Sequence, residues 1–580
     1  MKFSGIVLTC FVLLLQSCGD VPLPGDGGRV LSYDLLMNGG AVAEPISLNE
    51  FSAAENASPA SNRFSGRLRL ETSAQSNHLD VLLDDLSLIV PERPGFGDLP
   101  AFDFEFVQDG EHLVPLIQGP VRNEHNWWEF VLRPGRVWDE STDNGYTRAA
   151  IPFALKERRE DCIHNGLMIF LFNDAGETSN VVFQISNQTC LYLQFEMRGS
   201  LAANYEPGQV DGDTDAISLV AANRNSRLPL RPIEQISNDY PGTDSDEFGS
   251  TEEIDPDAMS LYGFIIDGVH YTGGCNTPHG RYPYCDEMAL PSYSTAKSLV
   301  GGLGLMLMEK MYPGTASASI GDHVPECGDS WDDVTIEHAL DMTTGHFRSP
   351  DLHADENSAI SVRFFTGDHA EKINFACNEF PRSANPGEHL VYRTWDTYLA
   401  GFAINNRIKS LEGTDADFFD DLLVEKIWKP LRLSRLSQAT RRTYDEVAQP
   451  YTGFGLTLLR DDVAKFAQLI GIDDGRIGGE DPLDRKLFDS IKQRNPDDPG
   501  KQAELETIFY NNGFRSFDVS GYLGCDEPVW VVVLSGYGGI IVAIMPNDTA
   551  YYYFSDGDVR RYLHAVRESH KIRPMCRNDK

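Results

Sequence analysis

Positive charge is scarce in this chain. Lys and Arg number 49 against 87 Asp and Glu, a formal net charge of −38 over 580 residues. A surface of that sign repels phosphate backbones, which argues against nucleic-acid binding. Long apolar runs are also missing. Beyond the first 18 residues, Leu299 to Met308 is the notable stretch, and it is short and broken by Gly301, Gly302 and Gly304. It reads as a core helix, not a membrane span. CxxC pairs with zinc spacing are absent, as is any internal repeat. What the chain does have is 41% hydrophobic residues, enough for globular cores, and too much length for one core. Two or more domains are expected.

The first 18 residues have the form of an export signal. Lys2 is a minimal positive start, and Ile6 to Leu15 is mostly apolar but too short for a permanent bilayer helix. "LQSC", Leu15 to Cys18, resembles a bacterial lipobox, in which Cys18 would be lipidated and become the mature N-terminus. Gln16 is less usual there than a small residue, so ordinary signal-peptidase cleavage is the alternative. Export to the cell envelope makes the cysteines candidates for disulfides. With Cys10 in the leader and Cys18 given to lipid, eight of the ten remain. Closing sequence neighbours pairs Cys162 with Cys190, Cys275 with Cys285, Cys327 with Cys377, and Cys525 with Cys576.

Residues 19–62 are rich in Gly, Pro, Ser, Asn and Ala, the composition of a flexible tether. Residues 63–205 hold short alternating runs such as "SGRLRLETS", "FDFEFVQDG", "GLMIFLFND" and "LYLQFEMRG", separated by turn residues. That pattern predicts an all-β sandwich of roughly eight strands with no evident ligand. In "NEHNWWEF", Trp127 and Trp128 should point to opposite faces, one into the core and one outward, where packing or sugar stacking is open to it. Residues 206–257 form an acidic linker. Asp211, Asp213 and Asp215 have the opening spacing of an EF-hand loop, but Ala216 and Ala222 stand where Gly and the bidentate Glu belong. From 258 to 580, helical and strand patterns mix.

"PSYSTAKSLVGG", Pro291 to Gly302, carries the chemistry. Ser294 and Lys297 are three apart at the start of an apolar helix, so they share a face and the amine can reach the hydroxyl. Burial penalises a charged amine, so a lysine placed there can act as the serine's base. His346 and His389 could suggest a Ser-His arrangement, but a lysine beside the serine makes neither necessary.

This stretch resembles the nucleophile helix of the serine β-lactamase and penicillin-binding-protein superfamily. Four more landmarks follow in order: "SIGDHVPECGDSWDDVTIEHALDMTTGHF", "NPGEHLVYRTWDTYLAGFAI", "GFGLTLLRDDVAKFAQLIG" and "LSGYGGIIVAIMPND". Together they span about 250 to 570 and resemble the esterase, class C β-lactamase and nylon-oligomer hydrolase branch. The resemblance implies an α/β domain with an antiparallel sheet flanked by helices. It makes Ser294 the nucleophile, Lys297 its base and Tyr392 a phenol that shares a proton with Lys297 and passes it to the leaving group. The motif's asparagine position is Thr394. The third motif aligns with Tyr537, Gly538 and Gly539, which gives an oxyanion hole of the Ser294 and Ile540 N–H groups. Tyr537 replaces a lysine that would bind a substrate carboxylate, so neutral esters or amides are expected over β-lactams and peptidoglycan stems. Arg393 could replace that cation only by turning into the cleft. Trp395 and Asp396 flank the motif, as cleft lining or as packing.

The expected protein is an exported, lipid-anchored serine hydrolase with no metal or organic cofactor. A β-lactamase or DD-peptidase, or a non-catalytic binding lipoprotein on the same fold, are the alternatives.

Overall fold

The structure is a computed structural model that describes residues 29–40, 45–72 and 78–576. The leader and Cys18 lie outside the described residues.

Residues 65–207 are all β. Strands from Ser65–Leu70 to Ala203–Pro207 form one continuous twelve-stranded antiparallel sheet, not the two facing sheets of a sandwich. The sheet folds over on itself, because Phe64, beside its first strand, meets Phe170 from a strand that is not its neighbour, with ring centroids 5.9 Å apart. The strand Ile163–Phe172 shows why the sequence here is almost unbrokenly apolar. Met168, Phe170 and Phe172 face the β-domain's aromatic core, while Leu167, Ile169 and Leu171 join a cluster with Leu261, Tyr282, Tyr284 and Met288 of the second domain. A strand covered on both faces needs no polar alternation. Trp128 is buried, donating its indole N–H to the Phe96 carbonyl at 2.8 Å, while Trp127 is half-buried beneath the Arg159 guanidinium.

The flexible tether and the plain acidic linker both turn out to carry packed structure. Among the described residues of 29–62, Leu31, Leu36, Ile46, Leu48 and Phe51 are buried against both domains, and the Tyr284 hydroxyl donates to the Phe51 carbonyl at 3.1 Å. Composition suggested a tether because these five apolar residues are spaced without a period. The acidic stretch 206–257 is also ordered. It forms the helix Asp213–Asn225, whose first turn holds Asp213 and Asp215 where carboxylates complement the helix dipole, and the strand Leu230–Pro232, which pairs in parallel with Val269–Gly274.

The second domain is a nine-stranded sheet, antiparallel except at that first pairing, with central strands Met259–Ile266, Thr549–Ser555, Ile540–Met545 and Trp530–Gly536. Alternate residues pack on opposite sides. Val532, Leu534, Val542 and Ile544 face the helices Leu303–Met311 and Arg460–Gly471, and Val531, Val533, Ile541 and Ala543 face Leu563–Ile572. A helical insert that includes Thr394–Glu412 covers one end. The four disulfides pair Cys162 with Cys190, Cys275 with Cys285, Cys327 with Cys377, and Cys525 with Cys576, as expected. Among the described residues no helix is long and apolar enough to cross a membrane.

Candidate active site

The short strand Leu290–Pro291 pairs with Thr457–Leu458 and delivers the chain into the turn Ser292–Tyr293–Ser294. Tyr293 holds φ at 39°, a left-handed conformation that costs a bulky residue about 1–3 kcal/mol and persists only where its surroundings enforce it. A π-helical segment, Lys297–Gly302, follows and runs into the α-helix Leu303–Met311. Gly302 admits other backbone, since a Cβ there would stand 2.4 Å from the Asn512 carbonyl oxygen.

The turn places Ser294 Oγ 2.9 Å from Lys297 Nζ. The amine is 1% exposed and has two further partners, Thr394 Oγ1 at 3.0 Å and the Gly453 carbonyl at 3.4 Å. Thr394 opens the helix Thr394–Glu412, and its hydroxyl donates to Glu356 Oε1 at 2.5 Å while its N–H donates to Oε2 at 2.8 Å. With its proton given to Glu356, the threonine oxygen can only accept from Lys297. The Gly453 carbonyl can only accept as well. Both oxygens therefore accept from the lysine, and its remaining contact is with Ser294 Oγ. Glu356 is a member of this set that sequence reading missed. It lies in the loop "DLHADENSAI", which has no period or motif to mark it.

Tyr392 also borders the lysine, but not as expected. Its ring face covers Lys297 Nζ at 4.8 Å from the centroid, and among the described residues its hydroxyl makes no hydrogen bond to Lys297 or Ser294. Arg393 turns away. It is buried behind the site, paired with Asp396 at 2.6 Å and bonded to Thr344 at 2.6 Å. Trp395 is buried against Phe380, His346 is stacked on Trp331 at 4.1 Å, and His389 packs beside Phe347; none of them lines the cleft.

The cleft itself is about 620 Å³, enough for a small-molecule substrate. Its far wall is the end of the strand Trp530–Gly536. Tyr537 lines it, 43% exposed, with ring centroids 5.8 Å from Tyr293 and 6.0 Å from Tyr192. The placing of Ile540 in the oxyanion hole needs correction. Ile540 starts the next strand, is fully buried, pairs with Gly536 and does not line the cleft. Gly538 and Gly539 form the hairpin between them with φ of 79° and 83°, and their carbonyls accept from Ser555 Oγ. The cleft is instead reached by Ser535, Gly536 and Tyr537, and the backbone N–H groups of Ser294 and Tyr537 have no partner within the described chain.

Besides Lys297, two arginines stand in the cleft, each with a carboxylate. Arg515 pairs with Glu504 at 3.0 Å, and Arg560 with Asp558 at 2.7 Å. Burial raises the Glu504 carboxyl, but its hydrogen bond with His353 and the charge of Arg515 outweigh burial and hold it at about 2. Glu160 enters the cleft from the β-domain, where burial and then the Glu157 charge push it up to about 8.

No family model and no curated protein matches the chain. Solved structures similar to it include a putative 6-aminohexanoate-dimer hydrolase from Bacillus anthracis, 17% identical over 60% of this chain and 86% of that one, with a TM-score of 0.42. A class C β-lactamase is 12% identical over 65% of this chain and 100% of its own, with a TM-score of 0.39. A D-alanine carboxypeptidase AmpC from Burkholderia cenocepacia is 14% identical over 62% and 99%, with a TM-score of 0.37. The chemistry of the cleft rests on its own atoms.

Proposed function

We propose that the protein is a serine hydrolase that cleaves ester or amide bonds through an acyl-enzyme on Ser294. The observation that carries this is the chain Ser294–Lys297–Thr394–Glu356, which holds the lysine amine against the serine hydroxyl beside an open cleft. Lys297 takes the Ser294 proton as Oγ bonds to the substrate carbonyl carbon. The N–H groups of Ser294 and Tyr537 stabilise the oxyanion. The tetrahedral adduct expels the leaving group, which receives the proton now held on Lys297. Tyr392, over the amine, covers the ammonium with its ring while that charge exists. A water molecule then gives a proton to Lys297 as its oxygen bonds to the acyl carbon; the bond from that carbon to Ser294 Oγ breaks, Oγ takes the proton back from Lys297, and the acid leaves.

Four disulfides suit an oxidising compartment, which supports export to the envelope, with Cys18 as the lipid anchor. The test is intact-mass spectrometry after a fluorophosphonate. Wild type should gain one adduct, on Ser294, and Ser294→Ala none. Labelling of Ser294→Ala, or its hydrolysis of a nitrophenyl ester at the wild-type rate, overturns the assignment.

A further inference from the structure

The strained turn that presents Ser294 is held from outside its own domain. Between the strands Thr147–Glu157 and Ile163–Phe172, the β-domain projects a loop into the hydrolase half. Asp161 on that loop is fully buried, and its Oδ2 accepts from the Tyr293 N–H at 2.7 Å, the Ser292 hydroxyl at 3.1 Å and the Gly455 N–H at 3.2 Å. These groups belong to the two walls that flank the catalytic pair. One is the nucleophile turn, in which Tyr293 holds its positive φ. The other is the segment whose Gly453 carbonyl accepts from Lys297.

The carboxylate is backed by a cation from its own domain. Lys156 Nζ lies 3.2 Å from Asp161 Oδ1 and donates to the Gly455 carbonyl at 2.9 Å and Thr457 Oγ1 at 2.7 Å. The loop has fixed ends. Cys162, the next residue, is tied to Cys190, and Arg441 of the hydrolase domain donates to the Glu157 and Arg158 carbonyls. A charged acceptor gripping the N–H of a left-handed residue is what keeps that residue from relaxing.

We infer that Asp161 is a positioning residue for Ser294, which makes the β-domain a working part of the active site. This rests on Ser294 being the nucleophile. Asp161 touches no reacting atom; it sets where the serine oxygen and the lysine's acceptor stand relative to each other. Misplacement by about 1 Å costs such a reaction on the order of 100-fold.

The experiment uses the full chain with Asp161→Ala, Asp161→Asn and, as a control, Asn165→Ala. Asn165 also joins the domains, through the Ala289 carbonyl and N–H at 2.9 Å each, but makes no bond to the turn. Thermal midpoint, fluorophosphonate labelling rate, and kcat and KM on nitrophenyl butyrate are read for each. Asp161→Ala should label about 100-fold more slowly, with the loss in kcat and KM within about threefold. Asp161→Asn keeps one acceptor oxygen and should fall between Ala and wild type. Asn165→Ala should lower the midpoint yet label within about twofold of wild type. Wild-type labelling by Asp161→Asn and Asp161→Ala overturns the inference, and so does an equal loss in Asn165→Ala. If Asp161→Ala does not fold, Asp161→Asn carries the test, and a wild-type rate there is refuting. Labelling that survives Ser294→Ala would overturn the nucleophile instead, so the two failures are distinguishable.

Discussion

Replacing Thr394 with valine removes one oxygen and little volume, and it isolates how Lys297 is oriented. The hydroxyl accepts from Lys297 at 3.0 Å and donates to Glu356 at 2.5 Å. In Thr394→Val a buried lysine N–H loses its acceptor, which costs about 1–3 kcal/mol. Glu356 keeps the residue-394 backbone N–H at 2.8 Å, so the loop it belongs to should stay in place. At about 1.4 kcal/mol per tenfold in rate, the expected loss is about 5- to 150-fold in kcat/KM. It should fall on kcat, because the hydroxyl is already engaged by Lys297 and Glu356 and is not free for substrate. Thr394→Ser keeps the oxygen and should stay within about threefold of wild type. The assay is steady-state hydrolysis of nitrophenyl butyrate, with fluorophosphonate labelling as a check on acylation alone. A valine variant within twofold of wild type refutes the orientation argument. A variant with raised KM and unchanged kcat refutes it differently, by making Thr394 a substrate contact.

Nitrophenyl butyrate should be turned over with a higher kcat/KM than a chromogenic cephalosporin under the same conditions, and the reverse order would reject the substrate class. The contribution of Glu160 to stability should fall as pH rises through the neutral range. Glu160, held at about 8 in the folded protein against 4.5 for an exposed glutamate, binds a proton there that the unfolded chain does not, so its contribution is full below about pH 4.5 and is lost as pH passes 8. Thermal midpoints at pH 5, 6.5 and 8 should drop less in Glu160→Gln than in wild type. Asp556, pushed up to about 7 by burial, leaves a residual slope in the variant. Parallel slopes in the two proteins would mean that Glu160 is not buried as described.

The contact between Ser294 and Lys297 was legible because its signal is local. Ser294 and Lys297 are three apart at the start of a helical stretch, a spacing visible in a short window, and the amine and hydroxyl stand 2.9 Å apart. The disulfides were legible because each joins cysteines that are neighbours in sequence order. The strands of the β-domain showed in their alternation, yet the curl that makes one continuous sheet depends on contacts such as Phe64 with Phe170, which no short window contains. The same holds for Glu356, Asp161 and Glu160, which enter the cleft from loops that carry no period. The third motif was displaced by three residues. "YGG" was aligned as the strand's working segment, but Gly538 and Gly539 have the left-handed φ of a hairpin, and the strand's cleft-facing end precedes them.

The substrate argument survives in a changed form. From sequence, the absence of a cation at Tyr537 was the reason to expect neutral substrates. The cleft does contain cations, Arg515 and Arg560, so absence is not the reason. Pairing is. Arg515 lies 3.0 Å from Glu504, whose carboxyl stays ionised down to about pH 2, and Arg560 lies 2.7 Å from Asp558. A substrate carboxylate that took Arg515 would have to displace Glu504 and leave that carboxylate without its charge partner, at a cost that offsets the new pair. Arg393 offers no relief, being 1% exposed and held by Asp396. Among the groups the cleft leaves unpaired are the N–H groups of Ser294 and Tyr537, which a carbonyl oxygen can accept from whether or not the rest of the molecule is charged. Under the proposed function, that arrangement would favour the scissile carbonyl and disfavour an anionic neighbour, which is why uncharged esters or amides are the expected substrates.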